Sequence, residues 1–156
     1  MSKHAKRVAA GVLATLWLAG AAAAADDTQL KMLMGDNFGR AGSILTDLIA
    51  ARYQALPQKA EAIRQHAVQL IEKPPSFITG KEGREQFTTF ATFLKNSAQS
   101  LEEVTAQLAK RDQEHAKTSG ELSVDYLRVA AAEHFGNMIT ACVLCHNQFR
   151  RHALPQ

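Results

Sequence analysis

Counting back from residue 145, apolar or sulfur-bearing side chains recur at Cys145, Cys142, Met138, Phe135, Ala131, Leu127 and Val124, in steps of three or four. A helix brings positions at that spacing to one face, so this segment reads as an amphipathic helix that must bury its stripe against something else. Three further stretches carry the same period. The first opens at Asp26 or Asp27, acids suited to a helix N-terminus. It is expected to turn Leu30, Met34, Asn37 or Phe38, Ala41, Leu45 and Leu48 inward. The second begins near Pro57, a good first-turn residue, runs through Ala60, Ile63, Ala67 and Leu70 or Ile71, and is stopped by Pro74-Pro75. A loop from Pro74 to Gly83 follows, with Gly80 and Gly83 as breakers. The third stretch carries Phe87, Phe90, Leu94, Leu101, Val104 and Leu108 on one face, with Phe93 to the side, and ends in a charged, solvated run from Lys110 to Lys117. Gly120 breaks it, and Ser119 or Ser123 starts the fourth. Four helices with short connections predict an all-α fold, an antiparallel up-down four-helix bundle over residues 26–156.

Residues 1–25 are expected to stand apart from that bundle. Lys3, Lys6 and Arg7 form a positive leader, Val8 to Leu18 an apolar run with the only tryptophan, Trp17, and Ala23-Ala24-Ala25 a small-residue cleavage site. That is the pattern of a secretory signal peptide cleaved after about Ala25, and it implies a periplasmic protein without a membrane span after cleavage. The competing reading is an uncleaved anchor, since Val8 to Ala25 is nearly long enough to span. The leader carries three of the 18 Lys+Arg and none of the 15 Asp+Glu, so the remainder holds 15 of each and is formally neutral. A neutral chain gives no support to nucleic acid as a partner.

The only two cysteines stand in Cys142-Val143-Leu144-Cys145-His146. Cys-x-x-Cys-His is the attachment pattern of a c-type haem. Two thiols three residues apart can each form a thioether to a haem vinyl group, and the following imidazole can ligate the iron as the proximal axial ligand. A thioredoxin-like redox pair would need a strand before the motif, and no strand-like alternation precedes it. A zinc site would need a second ligand pair with recognisable spacing, and none is present. One stripe therefore carries both thiols and the hydrophobic face of the last helix, which places the haem against the bundle interior. Gly35, Gly39 and Gly42 interrupt the first helix, each at a cost on the order of 1 kcal/mol relative to alanine. They fit either close approach by a bulky neighbour, such as haem or another helix, or simple tolerance. The aromatic cluster of the third helix likewise reads as a haem-pocket wall or as ordinary core.

The run Phe135-Gly136-x-Met138-x-x-x-Cys142-x-x-Cys145-His146-x-x-Phe149-Arg150 resembles the class II cytochromes c, the cytochrome c-prime family. Met34-Gly35-Asp36-Asn37-Phe38-Gly39-Arg40 in the first helix, the Phe77 to Gly80 loop and the spacing between these landmarks resemble the same family over essentially the whole of residues 26–156. The resemblance implies a bundle with one covalently bound haem c near the C-terminal helix and His146 as proximal ligand. It also places Arg150 near the proximal face of the haem, against the alternative of a surface cation suited to a helix C-terminus. In that family the first helix presents either a ligating methionine or a residue that leaves the sixth site open. Anchoring on Phe38-Gly39-Arg40 puts Lys31 there, a shift of one puts Met32 there, and the inward stripe favours Met34. Lys31, Met32, Met34 and an open site therefore all remain. His66, His115, His134 and His152 read as surface or boundary residues first, with His66 the one best placed for a bis-histidine haem.

The expected activity is that of a monohaem one-electron carrier working with redox partner proteins. The rival is a five-coordinate haem protein that binds nitric oxide or carbon monoxide, with Leu30, Phe38 and Phe90 crowding the distal side. No paired carboxylates, nucleophile triad or activated water can be assembled, so the chain is not expected to be an enzyme. The resemblance would also fit a homodimer joined through the first two helices.

Overall fold

A computed structural model describes residue 28, residues 30–115 and residues 124–149. The signal segment, Asp26 and Asp27, the expected break at Ser119 to Ser123, Arg150 and His152 lie outside the described residues. Four helices are present: α1 (residues 30–49), α2 (Leu56–Glu72), α3 (Lys81–His115) and α4 (Val124–Phe149). Among the described residues there is no strand, and the arrangement is consistent with a four-helix bundle. No described helix is long and apolar enough to cross a membrane.

The contacts between helices fix their directions. Along α1 and α2, Asp47 reaches Lys59 at one end while Asn37 reaches His66 further along, so residue numbers rise in one helix as they fall in the other. The same holds between α2 and α3, where Gln54 Nε2 donates to the Ala109 carbonyl (3.0 Å) and Arg64 pairs with Glu102 (2.8 Å). The start of α3 meets the end of α4, where Gln148 donates to Gln86 at 3.0 Å. Consecutive helices are thus antiparallel neighbours.

The α1–α2 connection is short because it is tightly bonded. The Ala51 N–H bonds to the Leu48 carbonyl (3.2 Å) and the Arg52 N–H to the Asp47 carbonyl (2.8 Å), the paired bonds that close a helix with a left-handed residue. That residue is Ala51 at φ 53°, a conformation that costs a non-glycine residue roughly 1–2 kcal/mol. Asp47 helps to hold it. Buried at the end of α1, its carboxylate takes Lys59 from α2 and Arg52 from the turn. The Lys59 bond, with Arg52 behind it and against the effect of burial, keeps this carboxyl below the usual carboxylate range. Tyr53, also buried, ties the turn to α4 by accepting a 3.0 Å bond from Arg128.

The buried side chains fall into two clusters. The larger joins Ile44, Leu56, Ile63, Leu101, Leu108, Leu127, Ala131 and Met138 at the end where α1 turns into α2. The smaller joins Leu70, Ile78, Phe87, Ala91 and Phe149 at the opposite end, with Leu30, Leu33, Met34, Phe90 and Cys145 packed on it. Helix α2 ends at Glu72, just before Pro74-Pro75, as its sequence requires. The expected loop to Gly83 is shorter than anticipated, because Gly80 takes φ 73° and α3 starts at Lys81. In α1 the inward register needs a correction: Ile44 is fully buried while Leu45 is 44 % exposed, and Asn37 is buried while Phe38 is 84 % exposed. The stripe 34, 37, 41, 44, 48 keeps steps of three and four: Asn37 is the buried one of the two alternatives expected there, and Ile44 takes the place expected of Leu45. Gly35, Gly39 and Gly42 have no atom within 4 Å of where a Cβ would sit. Among the described residues, then, nothing approaches them closely.

Candidate functional site

Both cysteines are half-buried on α4, and their positions differ in a useful way. Cys142 packs on the larger cluster and Cys145 on the smaller, so the pair straddles the seam between them. Burial raises both thiols, and Cys145 is pushed up to about 11, with Cys142 adding to the effect. A neutral sulfur suits that apolar setting; a thiolate does not.

The end of α4 is anchored by aromatic rings. Phe149 meets Phe87 edge-on at 5.6 Å and Phe90 at 6.3 Å, a geometry favoured by ring quadrupoles. Ile78, held in its turn by a bond from its N–H to the Pro75 carbonyl (2.9 Å), closes the loop side of this cluster. A partly open cleft of about 530 Å³ adjoins it, lined by Leu30 and Leu33 of α1, Gln69, Leu70 and Glu72 of α2, and Lys73, Pro74 and Pro75, so its walls are part apolar and part polar.

Of the sixth-ligand candidates, Met34 packs in the cluster that includes Cys145, whereas Met32 is 62 % exposed and Lys31 is also on the outer side. His146 is exposed on α4, next to the half-buried Cys145. Among the distal candidates Leu30 and Phe90 belong to the cluster, and Phe38 does not: it faces outward. Among the described residues, no three His, Cys, Asp or Glu side chains converge as a site for a bare metal ion. A haem iron needs no such group from the protein, because the porphyrin supplies four of its ligands.

One polar cluster was missed by reasoning from sequence. Asn37 of α1 accepts a 2.7 Å hydrogen bond at Oδ1 from Nδ1 of His66 on α2. Burial, then the charge of nearby Arg40, lowers the His66 pKa, while Asp36 acts in the opposite sense. Arg40 is half-buried, and its Nε is buried without a hydrogen-bond partner. The readable signal was Asn37 itself, a polar residue inside an apolar stripe. Comparison with protein-family profiles, with curated proteins and with solved structures finds no match for the chain.

Proposed function

We propose that this chain is an exported class II c-type cytochrome that carries single electrons in the periplasm. The observation that carries the reading is the Cys142–Cys145–His146 motif, whose two cysteines straddle the two core clusters while His146 is exposed beside them. Cys142 and Cys145 would hold one haem c by thioethers, and His146 would bind its iron on the proximal side. Bound there, the haem supplies a reversible one-electron change at iron. The protein's part is to retain the group covalently, to orient His146 and to keep water away with Leu30, Leu33, Leu70 and Phe90. Met34, packed against the same cluster as Cys145, is the side chain proposed to offer a thioether sulfur on the other face. Such ligation would raise the reduction potential and favour electron transfer over ligand capture. Arg150 remains proposed as a proximal-side contact.

The neutral composition of residues 26–156 gives no support to nucleic acid as a partner; redox partner proteins follow from the haem reading. No catalytic constellation supports an enzyme. The exposed apolar residues of α1, Phe38, Leu45 and Ile49, suit a homodimer through that helix.

One absorption spectrum tests the reading. Purified from a host that matures c-type cytochromes, the protein should show a six-coordinate low-spin haem whose mass is covalently retained. A haem-bearing protein with a five-coordinate high-spin spectrum would instead be a binder of nitric oxide or carbon monoxide. A colourless chain without the added mass would overturn both.

A further inference from the structure

The Asn37–His66 bond joins α1 to α2, but beside it the buried Nε of Arg40 has no hydrogen-bond partner. This polar cluster sits at the same level of the bundle as the cysteine pair. Met34 and Leu70, just before Asn37 and just beyond His66, belong to the smaller cluster with Cys145. Ala41 and Ala67 on the other side belong to the larger cluster with Cys142. The three polar residues and the two sulfurs thus share one seam, the first on the α1–α2 side and the second on α4.

A buried guanidinium N–H without an acceptor loses hydration for nothing in return, a cost of about 1–3 kcal/mol or more for a charged group. Arginine is also the side chain whose planar donors best match a carboxylate. The imidazole of His66 is fixed by Asn37 with Nδ1 donating, which leaves Nε2 as an acceptor when neutral and a second donor when protonated. An anion is what this corner lacks. Haem brings two of them: its propionates leave the macrocycle on the edge away from the vinyl groups that the cysteines would take.

We infer that Arg40, assisted by His66, seats a haem propionate. The inference rests on the haem reading above, and commits it further: attachment at α4 and charge neutralisation at α1–α2 would clamp the ring from both edges. Asn37 acts as a positioning residue that orients His66. The charged groups that act on His66 of α2 are Arg40 and Asp36 of α1.

The test uses the haem-bearing full chain. Covalent haem is first established by intact mass for the wild type, Arg40→Leu, Arg40→Lys and His66→Gln. The propionate bending band in the resonance Raman spectrum is then compared. It should shift in Arg40→Leu, return most of the way in Arg40→Lys, and move less in His66→Gln. In the wild type it should hold its position on acidification to about pH 4, because an ion-paired carboxylate resists protonation. A haem-bearing Arg40→Leu protein whose band coincides with that of the wild type overturns the inference and leaves the haem reading intact. So does a wild-type band that moves near pH 5, a result available even should the leucine variant fail to fold. Absence of haem mass from the wild type removes the haem reading and this inference together.

Discussion

The two ends of the molecule are built on different principles. At the α1–α2 turn the core is aliphatic and closed: Ile44, Leu56, Ala60, Ala98 and Leu101 are fully buried, and Asp47, Tyr53 and Gln54 bond the turn to its neighbours. At the other end the core is aromatic and incomplete. Its fully formed part is small, most of its members are only half-buried, and a cleft opens between α1, α2 and Pro74-Pro75. A packed core resists change at one end, while the other leaves a cleft of mixed polarity open. The difference teaches that the bundle is closed by its own side chains at one end only; at the other, the proposed haem would add packing.

The strongest way to break that comparison is to remove the sulfurs. Cys142→Ala with Cys145→Ala should abolish covalent haem entirely, read by intact mass, while the closed end still folds and gives a helical circular dichroism spectrum. In the haem-free wild type, the Cys145 thiol, pushed up to about 11, should alkylate on the order of 100-fold more slowly at pH 8 than in urea, since the thiolate is the nucleophile. Equal rates would mean that the open end does not bury its cysteines.

Leu101→Ala sharpens the contrast from the other side. It leaves a cavity among fully buried neighbours and should cost about 2–5 kcal/mol in denaturant unfolding. Met34→Ala, at a half-buried position, should cost less than about 2 kcal/mol yet convert a low-spin haem spectrum to high-spin. A spectrum unchanged in that variant would remove Met34 as the sixth ligand.

The smallest effects concern pH. The folded-state pKa of Asp47 is depressed, so its contribution to stability is present above the unfolded value, about 3.9, and is lost as pH falls through the folded one. His66 is also depressed: the folded chain prefers it neutral, so stability contributed above about pH 6.5 declines as acidification protonates it. In haem-free protein, His66→Gln should flatten the stability profile between about pH 5 and 7, and Asp47→Asn should flatten it below pH 4 or so. Unaltered profiles would show that neither pair is coupled to folding.

Much of this was legible in the residues. The period of three and four in α2, α3 and α4, Pro57 at the start of α2 and Pro74-Pro75 at its end fix helices wherever their partners stand, because helical geometry is local. The Cys-x-x-Cys-His pattern was equally local. What depended on other segments was misread or unseen. Leu45 and Phe38 look as apolar as Ile44, and only the neighbour α2 decides which side of α1 is dry. Ala51 gives no hint of a left-handed conformation; the bonds from Asp47 and its ion pairs to Arg52 and Lys59 impose it.

By itself, then, the sequence determined four helical segments and the chemistry carried on the last of them. The tertiary structure decided that Cys142 and Cys145 face different halves of the core, that Met34 is half-buried while Met32 is out, and that Asn37 and His66 meet. The physical reason is range. Backbone periodicity is set by residues three or four apart, whereas burial and pairing are set by side chains brought from 29 positions away for Asn37 and His66 and 75 for Tyr53 and Arg128.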